Sequence, residues 1–375
     1  MFKSAISFMF GVIALIIFST FSVSTSSAQE IESSSFEEIQ SETSQESIDA
    51  LNDYLINGYS LDASDYNIVV EKDVYDLDEI KIAKYYSIKS FSGQEYFAII
   101  SNINGVFTTL LGGEGAPDEL VLGKGKYYYP GGFTLISADD ANQILDYIKS
   151  KNETLSINEI KRDLKIQLED SSLIDPLSSS YGSKLLSSSY GSKLLSSPIF
   201  SQHDSDVKKI YRNSACGPTT IAVILQYWHD SNSKTKLQVY NAGYTTKGAF
   251  INSMYANRGG SAFGMSVSGV RSGLENEVIA RGYAAVTSSF NNFSSYKTEI
   301  DNSRPVAVKF DKYFTLFEPN VDYDYDYHWT PGLGYIYSSS GSLLRVQTLG
   351  TNSYVRDINY ATNSAIISMV SLTIK

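Results

Sequence analysis

Cysteine and histidine are scarce in this sequence. The chain has 375 residues but only one cysteine, Cys216, and three histidines. A single cysteine excludes an intrachain disulfide, whereas the cysteines of exported proteins are normally paired. The lone thiol therefore indicates an intermolecular bridge, a side chain kept for its reactivity, or a small buried apolar group.

Several motifs are also missing. The sequence has no Gly-x-Ser-x-Gly turn, no glycine-rich loop ending in lysine and no His-x-x-x-His pair. These absences argue against a serine hydrolase of that type, a phosphate-binding loop and a helical zinc site. Lysine and arginine form no cluster, so nothing indicates a nucleic-acid surface. Beyond the N-terminus, no apolar run approaches the length of a membrane span.

The N-terminus has the pattern of a secretory signal peptide. Lys3 precedes an apolar stretch over 6–18, and Ser26-Ser27-Ala28 places small residues before a cleavage point after Ala28. The alternative is an uncleaved membrane anchor, but the stretch is short for one and Ser/Thr-rich sequence follows it. We expect residues 1–28 to be removed and the mature protein to be secreted, away from the membrane.

Charge divides the remaining chain into two parts. Residues 29–197 carry 28 acidic and 13 basic side chains, whereas residues 198–375 carry 13 acidic and 16 basic ones. Parts of opposite charge are either unrelated domains or a propeptide and the domain that it covers, because opposed potentials favour docking. The chain length also predicts two domains.

The first part begins with a Ser/Glu-rich lead-in over 29–47, which we expect to be disordered. Residues 48–176 then have the pattern of a small, acidic α+β domain resembling a propeptide. Apolar residues at helical spacing predict helices over 49–56 and 138–151, and Asn104-Gly105 predicts a hairpin turn. The predicted strands are 66–70, 81–87, 95–101 and 105–111.

A nine-residue unit is repeated within 177–197. Ser178–Leu186 reads Ser-Ser-Ser-Tyr-Gly-Ser-Lys-Leu-Leu, and Ser187–Leu195 repeats it without change. Two copies are too few for a stacked-repeat fold, and Ser/Gly-rich sequence behaves as a flexible linker that proteases reach easily. We predict that this linker is the hinge between the domains and the place of maturation cleavage.

The last part, 198–375, predicts a second α+β domain, with helices first and a sheet after them. Apolar residues on all sides of a helix over 217–229 predict that this helix is buried. A second helix is expected over 266–281. The predicted strands are 283–287, 305–310, 329–337 and 342–348.

Cys216 lies at the start of the predicted buried helix, directly before Gly217-Pro218. Proline is favoured in the first turn of a helix, and the partial positive charge at a helix N-terminus favours thiolate over thiol. The glycine allows a substrate to approach the sulfur. The sequence therefore predicts an activated cysteine.

A thiolate nucleophile needs a base, and position separates the three histidines. His229 follows Cys216 by thirteen residues on the same predicted helix, about 20 Å along the axis, so it cannot reach the sulfur. His203 stands in a polar segment and is predicted to lie at the surface. His328 begins a predicted strand after a polar stretch, and we predict that it is the catalytic base.

The order of these motifs resembles the papain-like cysteine peptidases, in particular the bacteriocin-processing (double-glycine) peptidases and their secreted single-domain relatives. Members typically have a short apolar segment ending in glutamine, a Cys-Gly-Pro-Thr/Ser helix start, and a His-aromatic strand ending in Gly-Tyr. The matching motifs here are Pro198–Gln202, Cys216–Thr219 and His328–Tyr335, and the resemblance covers 198–362.

The resemblance implies a papain-like domain with a central buried helix packed on an antiparallel sheet. It also implies that Gln202 donates a hydrogen bond to the oxyanion, beside the backbone N–H of Cys216. The family has Asp or Asn one strand after the histidine, where it orients the imidazole. Gln347 occupies that place here, with Asn352 close behind, and an amide stabilises an imidazolium less well than a carboxylate does.

Three aspartates, Asp322, Asp324 and Asp326, alternate with tyrosines before the predicted base. A calcium loop of this form needs Gly at its sixth position and Glu at its twelfth, where this sequence has Tyr327 and Leu333. No metal and no other cofactor is therefore expected. We suggest instead that Asp324 and Asp326 raise the pKa of the neighbouring histidine or attract basic substrate side chains.

The sequence thus predicts a secreted cysteine peptidase made as a zymogen. An acidic propeptide over 29–197 would block the cleft of the peptidase domain over 198–375 and assist its folding. Peptide or protein substrates and the propeptide are the expected partners. Two alternatives stay open: an exported binding or adhesion protein that keeps the fold without turnover, and a thiol acyltransferase or amidase.

Overall fold

The computed structural model describes residues 44–151, 158, 190–240, 244–261, 264–311, 327–350 and 354–375. The predicted signal peptide, most of the predicted lead-in and the first repeat copy lie outside these residues. We refer to residues 44–151 as the N-terminal segment and to the residues from 190 onward as the C-terminal segment.

The N-terminal segment has the α+β composition that its sequence predicts. Its elements are α1 (Gln45–Tyr59), β1 (Tyr66–Tyr75), β2 (Lys81–Ser90), β3 (Glu95–Ile103), β4 (Val106–Glu114), β5 (Asp118–Val121), β6 (Lys126–Tyr128), β7 (Thr134–Ala138) and α2 (Ala141–Lys151). Helix α1 begins before the predicted start at residue 49 because Ser44 caps it, its hydroxyl accepting a hydrogen bond from the Ser47 amide at 3.2 Å. Residues 45–47 of the predicted lead-in are therefore helical.

Strands β1 to β4 form an antiparallel meander. The predicted turn between β3 and β4 is present, and Asn104 and Gly105 both have positive φ angles, 52° and 83°. These angles are those of a type I′ turn, whose twist matches the flanking strands. The side chain of Asn102 supports the turn by accepting a hydrogen bond from the Gly105 amide at 2.8 Å.

The C-terminal segment also combines helices with strands. Its elements are β8 (Gly191–Leu194), α3 (Lys209–Arg212), α4 (Cys216–Asn232), α5 (Lys247–Asn257), α6 (Val267–Ala280), β9 (Ala285–Phe290), α7 (Phe293–Asp301), β10 (Val306–Asp311), β11 (Tyr327–Ser338), β12 (Gly341–Gln347), β13 (Val355–Asn359), α8 (Tyr360–Asn363) and β14 (Ile367–Ile374). Short 3₁₀ turns follow α4 and α8, at Thr235–Leu237 and Ser364–Ile366.

Helix α4 is buried on every side, as its apolar sequence predicts. All residues from Cys216 to Trp228 are buried, and the helix packs against β11 in the largest apolar core. Helix α6 matches the prediction for 266–281, with the Ser266 hydroxyl accepting a hydrogen bond from the Gly269 amide at 3.0 Å. Among the described residues no helix is both long and apolar enough to cross a membrane.

One sheet runs through both segments. Its strand order is β5-β7-β6-β1-β2-β3-β4-β13-β12-β11-β10-β14-β9, with β8 added beside β11. The segments meet where β4 pairs with β13 in antiparallel register, Gly112 opposite Asp357 and Gly113 opposite Arg356. The two domains expected from the sequence are therefore joined by hydrogen bonds between strands, and the described residues from 44 onward belong to one compact unit.

The β4–β13 joint depends on glycine. A Cβ on Gly112 would collide with the hydroxyl of Tyr54, and a Cβ on Gly113 would crowd the side chain of Arg356. Arg356 is fully buried, and its guanidinium donates to the backbone oxygens of Glu114 at 2.9 Å and Ala116 at 2.8 Å. A C-terminal side chain thus satisfies the backbone of the N-terminal segment.

A second buried charge lies at the same joint. The carboxylate of Asp357 is fully buried and accepts hydrogen bonds from Arg345 Nε at 2.9 Å, the Tyr54 hydroxyl at 2.8 Å and the Tyr59 hydroxyl at 2.6 Å. Burial, followed by the charge of Asp357, raises the pKa of Tyr54 and of Tyr59. Both phenols therefore stay protonated and remain donors to the carboxylate.

Within the second repeat copy, Gly191–Leu194 forms a strand, where the sequence predicts a hinge. Strand β8 pairs antiparallel with β11, and the Leu195 amide donates to the Leu333 oxygen at 2.8 Å. Lys193 Nζ donates to the backbone oxygen of Asp301 at 2.8 Å. A Cβ on Gly334 would collide with the backbone oxygen of Lys193. The sequence missed this strand because its Ser/Gly composition is that of a linker, whereas the open side of β11 supplies the pairing.

The buried pair of Arg345 and Asp357 predicts that two Asp→Asn substitutions lower the free energy of unfolding by very different amounts. Asp357→Asn leaves the Arg345 guanidinium buried without its counter-charge, so we expect the free energy of unfolding to fall by about 3–5 kcal/mol. Asp73→Asn removes a carboxylate that pairs with Lys81 at the protein surface and should cost at most about 1 kcal/mol. Urea unfolding of both variants checks this. Equal, small losses would contradict it.

Candidate active site

The fold places Cys216 at the first position of α4. Ala215 precedes the helix as its N-cap and offers no side-chain cap. The first backbone N–H groups of a helix are not used in its own ladder, and they give this end a partial positive charge. Cys216 itself is buried, with 4% of its surface exposed. The predicted helix start is thus present, with the thiol at its positive end.

His328 lies near the beginning of β11 and is half-buried. On the neighbouring strand β10 its register partner is Phe310. Directly opposed residues of antiparallel strands project to the same face of the sheet, so the imidazole and the Phe310 ring are neighbours. The start of the predicted His-aromatic strand is confirmed to within two residues.

Met265 connects the cysteine helix with the histidine strand. The indole Nε1 of Trp329, next to His328, donates to the backbone oxygen of Met265 at 2.7 Å. On the other side, a Cβ on Gly217 would lie only 2.9 Å from the Cβ of Met265. The residue after the cysteine and the residue after the histidine therefore both contact Met265. This arrangement holds the beginning of α4 beside the beginning of β11.

Gln202 is buried beside the segment that leads into α4. Its backbone N–H donates to the oxygen of Leu349 at 3.0 Å, and its side-chain Nε2 donates to the oxygen of Arg212 at 3.0 Å. Arg212 ends α3, four residues before Cys216. The bond to Arg212 fixes the orientation of the Gln202 amide beside the segment that leads to Cys216.

His203 lies closer to the site than its sequence suggests. It was expected at the surface but is half-buried, and burial together with the Arg212 guanidinium lowers its pKa. It is also close enough to His328 to disfavour the protonation of that ring. Its polar neighbours made it look like a surface residue, and only its position next to Gln202 could have indicated otherwise.

His229 lies at the far end of α4, as the helix geometry requires. Its Nδ1 is 2.6 Å from Asp230 Oδ1 and 3.2 Å from Gln226 Nε2. These contacts belong to the helix C-terminus and are remote from Cys216 at the opposite end. The prediction that His229 cannot serve the thiol agrees with this placement.

Gln347 is buried at the end of β12. Its Oε1 accepts a hydrogen bond from the Ser197 hydroxyl at 3.0 Å, and its Nε2 donates to the Pro198 oxygen at 3.2 Å. These bonds connect Gln347 to the segment that leads to Gln202. An orienting role toward the imidazole stays a prediction, and the alternative, Asn352, lies outside the described residues.

The aspartates before the histidine strand, Asp322, Asp324 and Asp326, also lie outside the described residues. Within the described part of the chain, no group of three or more His, Cys, Asp or Glu side chains could hold a metal ion. The described residues near the beginnings of α4 and β11 include a thiol, two imidazoles and an amide. Such groups support nucleophilic and acid–base chemistry.

The environment of His328 determines its protonation. Burial, with a smaller effect of His203, lowers the pKa of His328 to about 3. The ring is therefore neutral near pH 7 and can accept a proton. In the resting site this favours a neutral thiol–imidazole pair, and a developing thiolate would stabilise the imidazolium as the proton moves.

Comparison with known proteins identifies the C-terminal segment. Residues 194–364 match the model of the Peptidase_C39 like family. The matched region contains Gln202, Cys216 and His328, and the resemblance to papain-like, bacteriocin-processing peptidases is thereby confirmed. The match begins at Leu194, within β8, and does not include the N-terminal segment. A search of curated proteins gave no match.

The low pKa of His328 predicts a change of stability with pH. The unfolded imidazole binds a proton below about pH 6.5 while the folded ring stays neutral down to about pH 3. The contribution of His328 to the free energy of unfolding should therefore be complete above pH 6.5. Below pH 6.5 it should fall by up to about 1.4 kcal/mol per pH unit, and by less where solvent around the half-buried ring weakens the effect of burial.

Urea unfolding of wild type and His328→Gln at pH 7.0, 5.5 and 4.5 measures this loss. We expect the variant to lose less stability than wild type on acidification. His203→Gln serves as the comparison, because burial also lowers the pKa of His203. A wild-type slope that His328→Gln leaves unchanged would show that His328 titrates normally in the folded protein.

Proposed function

We propose that this chain is an exported cysteine peptidase. The observation that supports the proposal is the arrangement around Met265, which connects the N-terminus of α4, where Cys216 lies, with the start of β11, where His328 lies. A thiol activated by a helix N-terminus and an adjacent imidazole is the combination that cysteine nucleophiles use. The family match of residues 194–364 supports the same reaction class.

In the proposed reaction His328 accepts the proton of the Cys216 thiol, and the sulfur attacks the scissile carbonyl carbon. The oxyanion so formed receives hydrogen bonds from the backbone N–H of Cys216 and the amide of Gln202. Collapse of this intermediate breaks the C–N bond, and the imidazolium gives its proton to the leaving amine. Water, deprotonated by the same imidazole, then hydrolyses the thioester and regenerates the thiol.

We further propose that the protein is made as a precursor and cleaved in the linker. Strand β8 supports a location before Tyr190, because residues 191–194 are paired with β11 and a protease needs an extended, accessible chain. The first repeat copy and the residues before it are then the place of cleavage.

One observation favours a second candidate, an exported binding protein with the same fold. Gln347 stands where the family has an acid or Asn, and its hydrogen bonds run to Ser197 and Pro198. An imidazole without a carboxylate partner is less well stabilised as a cation. A protein with this site could bind peptides while turning them over slowly or not at all.

Thiol reactivity separates the two candidates. Cys216 is the only cysteine in the chain, so labelling by iodoacetamide reports on this site alone. We expect rapid labelling of the native protein at pH 7 and cleavage of the chain within residues 177–190, with both processes absent in Cys216→Ala. Labelling that is slow in native protein but fast in urea, without cleavage, would favour the binding protein.

The proposed oxyanion contact predicts a selective loss of turnover in Gln202→Ala. Removing one oxyanion donor typically lowers kcat by about 10²–10³-fold, and KM should change little. The matched control is Gln226→Ala, which removes an equally buried glutamine whose Oε1 accepts a hydrogen bond from the Val239 amide at 2.9 Å. The control should lower stability while kcat is kept. Similar kcat values for both variants would exclude Gln202 from the oxyanion site.

A further inference from the structure

The geometry points to a permanent association between the two segments. We propose that the N-terminal segment, residues 44–151, stays bound to the C-terminal segment after the linker is cut. The mature protein is then a two-chain complex, in place of a peptidase freed from a propeptide. The cleavage of the linker and the activity of the complex both depend on the proposed peptidase function. The association itself rests on contacts that do not involve catalysis.

The first support is the shared sheet. Strand β13 has β12 on one side and β4 on the other. Departure of the N-terminal segment would leave the inner side of β13 without its partner, although this strand lies in the middle of the sheet. Unsatisfied backbone groups and an open sheet edge are both unfavourable. The C-terminal segment therefore still needs β4 as the hydrogen-bonding partner of β13 after the linker is cut.

The second support is the buried charge of Asp357. Two of its hydrogen-bond donors, Tyr54 and Tyr59, come from α1 of the N-terminal segment. Arg345 donates a further bond from Nη1 to the Gly58 oxygen at 3.1 Å. Separation of the two segments would remove these hydrogen-bond partners and expose the buried ion pair of Arg345 and Asp357. Hydrogen bonds to charged groups are among the stronger ones in proteins.

Further contacts run along β11 and β12. The side chains of Ile336 and Leu343 are fully or almost fully buried in an apolar cluster whose other members, including Leu51 and Leu55, belong to the N-terminal segment. The Ser340 amide, in the turn between these two strands, donates to Asp53 Oδ2 at 3.0 Å. The strand that carries His328 is thus packed against helix α1 at its other end.

The N-terminal segment also reaches the neighbourhood of the site. The ring of Phe133 lies edge-on to the ring of Phe310, with centroids 5.2 Å apart. Phe310 is the register partner of His328. Phe133 is therefore one contact removed from the imidazole. A permanently bound N-terminal segment makes Phe133 part of the wall of the site, whereas a propeptide would take it away on activation.

The association can be tested without any peptidase activity. The chain carries Cys216→Ala, and a recognition sequence for a site-specific protease is inserted between Leu177 and Ser178. After complete cleavage, verified on a denaturing gel, we expect both fragments to elute together from a sizing column at the volume of the uncut protein. Elution as two separate species in native buffer would overturn the proposal.

Phenylalanine substitutions test whether the Asp357 contacts hold the fragments together. Tyr54→Phe/Tyr59→Phe removes two donors to the carboxylate but keeps both rings. We expect the cleaved complex to dissociate at lower urea concentration, corresponding to a fragment dissociation constant raised about tenfold or more. Tyr86→Phe is the matched control, since the Tyr86 hydroxyl is 2.7 Å from Ser47 Oγ within the N-terminal segment. Equal effects of control and double variant would contradict the assignment.

Activity distinguishes a permanent partner from an inhibitor. In the version that keeps Cys216, we expect cleaved and uncleaved protein to hydrolyse peptides, with activity in the fraction that contains both fragments. Higher activity in a fraction that contains the C-terminal fragment alone would identify the N-terminal segment as a departing propeptide. If no fraction is active, the proposed function fails while co-elution of the inactive variant still decides the association.

Discussion

Asp357 brings three elements of the structure to one point. Its carboxylate receives the Arg345 guanidinium from β12 and the hydroxyls of Tyr54 and Tyr59 from α1, while its own strand β13 pairs with β4. A buried carboxylate is unfavourable unless charge and hydrogen bonds compensate for its lost hydration. Each element that meets this need is fixed relative to the others. The position of β12, and through it of β11 with His328, follows from that constraint.

Local sequence patterns predicted the elements better than their assembly. Strands β1 to β4, helix α4 and helix α6 all follow from apolar periodicity, from Asn104-Gly105 and from helix-start residues. The short strands β5 to β7 have Gly, Pro and charged residues around them, so their sequence resembles a loop. The pairing of β4 with β13 joins residues more than 240 positions apart. Periodicity carries no information about such pairing, and for that reason the two segments look like separate domains.

In the candidate active site too, the sequence predicted individual residues better than the contacts between them. Cys216 and His328 could be chosen because each stands at the beginning of a predicted element, where the rigid helix or strand holds the side chain in position. Met265 and Phe310 were not found, and His203 was wrongly expected at the surface, because the positions of all three depend on contacts between distant parts of the chain. His203 is instructive, because its neighbours Gln202 and Asp204 are polar whether the segment faces water or a catalytic cleft. A buried polar segment and an exposed one have the same composition.

The duplicated linker has a consequence for the length of the connection between the segments. The copy next to the C-terminal segment pairs with β11 through Gly191–Leu194, and the preceding copy has the same sequence. Gaining or losing one whole unit therefore changes the length of the connection by nine residues while leaving the sequence that pairs with β11 unchanged. Gly334, which accommodates the backbone of Lys193, would meet the same residues in either case. Repetition of this unit thus allows the connection to change in length by nine residues at a time, while the pairing of Gly191–Leu194 with β11 is kept.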